Sequence, residues 1–138
     1  MKTHTTNYFD TFIEAAEDCP ATEGIPPPYK EGNKTVAALQ FELIRQNPYR
    51  FTSDDVLFRT FAQRNGVDRN EYDEARKRFF SQGQPCFRAS PLGKRYGWGI
   101  HSDSNGKIAL YGLETTEYRN FVENNKIKKV KAMRNKRG

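Results

Sequence analysis

Cysteine is scarce in this chain: its 138 residues hold two, Cys19 and Cys86, far apart and in no Cys-x-x-Cys pair. That spacing offers no disulfide framework, and two reduced thiols in a cytoplasmic protein are the expectation. Histidine is as rare, at His4 and His101 only. With the two cysteines these have no zinc-motif spacing, so no metal is expected. The acidic stretch Glu14, Glu17, Asp18 and Glu23 lacks the ordered pattern of a calcium loop. No apolar run approaches the roughly 20 residues of a membrane helix, and residues 1–7 lack the apolar core of a secretory signal. A membrane partner is therefore not expected. There is no phosphate-binding P-loop and no Gly-x-Gly-x-x-Gly; Gly97-Trp98-Gly99 falls inside a strand pattern, not at a helix start. No cofactor is expected, and the reading leans away from an enzyme.

Hydrophobic residues make up only 36% of the chain, but 10 Phe, 7 Tyr and one Trp carry large apolar areas, enough for one core at this length. Residues 8–17 are ambiguous: Thr11-Phe12-Ile13 suggests a strand and Ala15-Ala16 a short helix, with the strand preferred. Residues 18–33, with Pro20, Gly24, Pro26-Pro27-Pro28 and Gly32, read as loop. A helix is predicted over 35–46, where Val36, Leu39 and Leu43 share a face and Pro48 follows the end. Thr52-Ser53-Asp54-Asp55 has the shape of a capping box opening a second helix to about Asn65, ended by Gly66. Asp68-Arg69-Asn70-Glu71 repeats the signal for a third, ending at Gly83. Strands are predicted near 86–90, 95–102 and 107–112, then a short helix capped by Thr115 or Thr116. Residues 127–133 form a last strand of poor alternation. Helices first and a meander later imply an α+β fold: a small antiparallel sheet containing the hairpin 95–112, with helices packed on one face. Residues 1–125 make one domain, and 126–138 a basic strand or tail belonging to it.

The hairpin carries the most information. A two-residue Asn105-Gly106 turn and a three-residue loop with Gly106 left-handed are both possible. Only the second puts Trp98 opposite Gly112, Ile100 opposite Leu110 and Ser102 opposite Ile108, which makes one face apolar. The other face then holds Gly97, Gly99, His101, Lys107, Ala109 and Tyr111. With Arg95 alongside, Gly97, Gly99, His101, Lys107 and Tyr111 form a candidate ligand shelf, small in the middle and ringed by donors. The competing reading is that a helix or ring packs over the glycines, since glycine in a strand marks close approach of any kind.

Positive charge is concentrated at one end. Lys126, Lys128, Lys129, Lys131, Arg134, Lys136 and Arg137 follow Glu123 with no acid among them. Without those seven, 16 basic side chains face 17 acidic ones. Such a segment can neutralise phosphates, which makes it a candidate nucleic-acid-binding surface. It reads equally as a lysine-guarded edge strand with a solvated end.

Three segments, His4-Thr5-Thr6-Asn7-Tyr8-Phe9-Asp10-Thr11-Phe12-Ile13, residues 47–56 from Asn47-Pro48-Tyr49 through Thr52-Ser53-Asp54-Asp55-Val56, and residues 83–101 from Gly83-Gln84-Pro85-Cys86 to His101, are long and unusual in composition. In these the chain resembles a small family of single-domain microbial proteins of unknown function. The resemblance spans nearly the whole chain and implies a self-contained domain. It carries across no catalytic residue, cofactor or substrate.

Two weaker constellations complete the reading. If strands 86–90 and 95–101 pair antiparallel, Cys86 and His101 fall opposite each other, and a thiolate beside an imidazolium is a nucleophile or redox thiol. The plainer reading of Cys86 is an inert core residue. Pro26-Pro27-Pro28-Tyr29 matches a Pro-Pro-x-Tyr peptide motif, and equally a rigid loop. Three functions stay open: a nucleic-acid-associated protein using the C-terminal segment, a small-molecule-binding module or enzyme using the hairpin face, and a protein–protein adaptor or homodimer.

Overall fold

The computed structural model describes residues 3–136. After a first strand come three helices, the first two opened by side-chain caps. Thr35 Oγ1 accepts from the Ala38 N–H at 3.1 Å and opens α1 (Val36–Gln46). Thr52 opens α2 (Ser53–Arg64) with a full capping box: its hydroxyl accepts from the Asp55 N–H at 3.1 Å, and the Asp55 carboxylate accepts from the Thr52 N–H at 3.0 Å. Such a cap is worth about 1 kcal/mol. Gly66, at φ +62°, ends α2, and the Val67 N–H returns to the Ala62 carbonyl, which satisfies an otherwise orphaned acceptor. A 3₁₀ turn at Arg69–Glu71 leads into α3 (Tyr72–Phe80).

The predicted strand over 86–90 is absent. In its place stand a 3₁₀ turn, Phe87–Ala89, and a short helix α4 (Pro91–Lys94). Proline at the first helical position needs no N–H partner, and the Ser90 hydroxyl accepts from the Leu92 N–H at 3.1 Å, so Ser90-Pro91 opens a helix where a strand would need a ladder donor.

Four strands follow the order β3-β2-β1-β4: β1 (Thr11–Glu14), β2 (Trp98–Ser102), β3 (Ile108–Gly112) and β4 (Lys128–Lys131). The ambiguous segment around Phe12 is thus a strand, and an interior one. The hairpin takes the register that its apolar face requires, Trp98↔Gly112, Ile100↔Leu110 and Ser102↔Ile108, with Gly106 at φ +80°. The sheet is mixed, not antiparallel, because β4 runs parallel to β1. Chain geometry explains the correction. β3 already runs parallel to β1, and α5 (Thr116–Glu123) carries the chain across to the far edge. A helical crossover delivers the next strand in the same direction.

The main core lies on one face of the sheet, where Ile13, Trp98, Ile100, Ile108 and Leu110 meet Ile44 of α1, Val56 of α2, Phe87 and Leu92. A smaller cluster of Phe58, Ala62, Ala75 and Phe80 joins α2 to α3. Phe61 is 37% exposed beside that cluster. The second face is also covered. Phe12 is stacked on Phe121 of α5 at 4.9 Å and meets Tyr118 edge-on at 5.0 Å, so helices pack on both faces. Near the N-terminus Asp54, on the first turn of α2, accepts from Thr5 Oγ1, Thr6 N and Thr6 Oγ1, each at 2.7 Å. Asn7 Oδ1 accepts from the Asp54 N–H. These bonds tie residues 5–7 to α2. No described helix is long and apolar enough to cross a membrane.

Candidate functional site

The loop between α1 and α2 lies along the outer edge of β3. The Tyr49 N–H donates to the Ile108 carbonyl and the Ile108 N–H to the Phe51 carbonyl, both at 2.9 Å, and Thr52 bridges Lys107. To follow that edge Tyr49 adopts φ +58°, a left-handed conformation uncommon for a bulky residue and a hallmark of segments held by their surroundings. Side chains on the loop then diverge to two neighbourhoods.

Tyr49 reaches the face covered by α5. Its hydroxyl stands 2.8 Å from His101 Nδ1 and 2.8 Å from Tyr111 Oη. The His101 ring stacks on Phe121 at 4.2 Å. Burial holds the imidazole below its usual 6.5, against the opposing pull of Asp103 and Asp10. Burial also pushes the Tyr49 phenol far above its ordinary range, with Tyr111 adding to the shift. With His101 neutral and protonated on Nε2, hydrogen bonds run from Tyr111 to Tyr49 to Nδ1 in one satisfied chain. The Tyr49 phenol stays protonated, so the group works as an anchor for the loop and offers no anionic base.

Arg50 and Phe51 instead line a cleft of about 490 Å³ with Lys107 and with side chains of α2 and α3, among them Arg59, Tyr72 and Arg76. The guanidinium of Arg59 lies 4.4 Å from the Phe51 ring centre, and that of Arg50 at 5.8 Å from the same ring. Arg76 pairs with Asp55 at 3.0 Å. Burial raises the Asp55 carboxyl, but hydrogen bonds from Thr52 and Arg76 outweigh it and hold the group below its usual value. Arg50, Arg59 and Lys107 enter no ion pair and no side-chain hydrogen bond among the described residues. A guanidinium laid on an aromatic ring is held in place while its edge N–H donors stay available for a carboxylate or phosphate.

The remaining predicted residues are dispersed. Gly99 is roofed by Phe12 and Tyr118, whose rings occupy the space a Cβ would need. Gly97, at φ +76°, packs against the Glu23 backbone and the Ala21 side chain. The middle of the shelf is therefore filled by packing; His101 and Tyr111 remain joined through Tyr49, and Lys107 belongs to the cleft. Arg95 is exposed at the end of α4. Cys86 and His101 are not brought together: Cys86 Sγ has Tyr8 Oη at 3.5 Å, beside the core on the opposite face from His101. Without a strand at 86–90, the proposed pairing has no basis. Among the described residues no group of His, Cys, Asp and Glu is arranged to hold a metal.

Among the described C-terminal cations, Lys129 and Lys131 have side chains tied to the fold. Lys128, Lys129 and Lys131 are on the edge strand β4. Lys131 pairs with Glu17 at 3.1 Å, and Lys129 Nζ donates to the Asn124 carbonyl at 2.5 Å. Asp18 accepts from the Asn135 and Lys136 N–H groups at 3.0 Å. The side chains of Lys126, Lys128, Arg134 and Lys136 face solvent; Arg137 lies outside the described residues. The sequence reading missed Tyr49, Arg50, Arg59 and Arg76. The available signal was Tyr49-Arg50-Phe51 within residues 47–56, where a short helix–helix link carries two aromatics and a cation.

Comparisons with curated proteins and with solved structures both return no match. A family model does match, over residues 3–138, and the chain belongs to that family of unknown function, DUF6157.

Proposed function

We propose that this chain is a binding module for ligands carrying phosphate beside a flat ring, a nucleotide or a short single strand of nucleic acid, held in the cleft beside Phe51. One observation carries the reading: Arg50, Arg59 and Lys107 line a single cleft in which Asp55 is already paired with Arg76, and although Asp73 also lines it, none of the three cations makes an ion pair among the described residues. Phosphate oxygens supply the missing partners, and Arg meets them with paired N–H donors. Phe51 and Tyr72 provide the ring surfaces on which a base stacks.

The test is titration of a fluorescent mononucleotide and a short single-stranded oligonucleotide at two salt concentrations. Three phosphate contacts predict a slope of log affinity against log salt near −2 for the oligonucleotide, and Arg59→Ala reduces it by about 0.7. Absence of binding at low salt overturns the proposal. So does binding that survives a combined Arg59→Ala, Lys107→Ala change.

A second reading places the contact on the solvent-facing Lys126, Lys128, Arg134 and Lys136, because positive charge is concentrated there without acids. In that case the same titration loses its salt dependence when those four side chains are neutralised, and Arg59→Ala leaves it intact.

A further inference from the structure

A second cavity, of about 240 Å³, opens on the other side of α2, between α1 and the segment that replaces the predicted 86–90 strand. Its walls are apolar: Val36, Leu57, Pro85, Phe87 and Pro91 all line it. No Lys, Arg, His, Asp or Glu does, so a charged ligand would lose its hydration with nothing in return. One polar side chain in the lining stands out. Gln40, on the inner side of α1, is 5% exposed, yet its amide makes no hydrogen bond among the described residues. Its atoms are not sealed from solvent either, since among those residues the fully enclosed side-chain atom without a partner is Asn135 Oδ1. Gln40 is thus in the cavity lining with an amide that keeps some accessible surface and has no partner among the described residues. An amide on a side chain this nearly buried has few places from which a partner can reach it, and an apolar cavity lined by a small number of polar groups is the usual form of a small-molecule site.

We propose that this cavity binds a small uncharged molecule with an amide-like edge, a hydrogen-bond donor beside an acceptor as in a lactam or pyridone ring. The carboxamide of Gln40 presents one acceptor oxygen and an NH₂ donor side by side, and a cis-amide edge pairs with both at once. The ring fills the apolar walls. The volume is below the ~300 Å³ at which sites for drug-sized ligands begin, which selects a single ring over an extended chain. Ser90 and Cys86 also line it. The Ser90 hydroxyl oxygen already accepts from Leu92 N, and its proton has no acceptor among the described residues, which leaves it for a second polar group on the ligand.

The intact chain is titrated with 2-pyridone and with N-methyl-2-pyridone, following the side-chain amide signals of Gln40 and the methyl signals of Val36 and Leu57 by NMR. The expected result is a shift of all three by 2-pyridone, with at least tenfold weaker binding of the N-methyl compound, which has lost the donor. Gln40→Leu should abolish that discrimination while leaving apolar contact with both probes. Leu57→Trp, which fills the cavity without touching the amide, should remove binding of both. The proposal is overturned if 2-pyridone moves none of these signals up to its solubility limit. It is equally overturned if the wild-type chain binds both probes alike. Those two outcomes are read on the unmodified protein and do not depend on either variant folding.

Discussion

Tyr49 links the loop between α1 and α2 to His101 and Tyr111 on the far face of the sheet. Its left-handed backbone is tolerated because both ends of its loop are bonded to β3 and its hydroxyl joins two side chains on the far face. Tyr49→Phe keeps the ring and removes the bridge, leaving His101 Nδ1 and the Tyr111 hydroxyl without their shared partner. The expected cost is about 1 kcal/mol in denaturant unfolding, with the cleft beside Phe51 loosened because the same loop forms its wall. His101 adds a pH signature whose sign follows from its depressed pKa. The unfolded chain takes up a proton near the usual 6.5, while the folded chain resists until lower pH. The contribution of neutral His101 is thus complete above pH 6.5 and lost as pH falls through and below it. Thermal midpoints should decline in that window before carboxylates such as Asp18, whose usual 3.8 is lowered by the Asn135 N–H, come into play. The decline should vanish in His101→Gln; an unchanged decline would assign it to other groups.

Elements show which signals a sequence can carry and which it cannot. The capping box at Thr52, the cap that falls on Thr115 of the two candidates Thr115 and Thr116, the stop at Gly66 and the hairpin register all depend on residues within a few positions of one another, and were legible; the cap at Thr35 was not named, only the helix start near it. The direction of β4 and the roof over the second sheet face depend on where α5 crosses, which no local pattern records. The candidate shelf divided along the same line. His101 and Tyr111 share a face by strand period, but the residue that joins them, Tyr49, is 52 and 62 positions away. Gly99 tests the roof directly. A Cβ there would collide with the Phe12 ring and sit 2.7 Å from Tyr118 Cε2. Tyr118 has little room to give, because its hydroxyl accepts from the Ala15 N–H at 2.8 Å and burial pushes its phenol up to about 12. Gly99→Ala should therefore destabilise by about 1–3 kcal/mol, as overpacking of a filled site does. A neutral effect would mean that α5 yields and the face is more open than its packing indicates.

Across the whole molecule, the question is whether the C-terminal cations serve binding or the fold. Deleting everything after residue 124 confuses the two. It removes β4, whose Lys128 N–H donates to Asp10 and whose neighbour Ala132 donates to Glu14, and it takes away Ala132, 3% exposed in the main core. β1 would become an edge strand with unpaired donors and acceptors beside fully buried Phe12 and Ile13, a template for pairing with other chains. The truncated chain is expected to aggregate or to unfold at markedly lower denaturant, whatever its ligand. Neutralising Lys126, Lys128 and Lys136 to alanine removes charge from solvent-facing positions and leaves the β4 ladder in place. Surface changes of this kind shift stability by about 0.5 kcal/mol or less, so that variant should unfold like the parent. Oligonucleotide binding then separates the roles: retained affinity with a near-parental salt slope assigns the lysines to guarding the edge and leaves recognition to Arg50, Arg59 and Lys107. A slope that collapses in the triple variant moves recognition to the edge strand and removes the cleft from it.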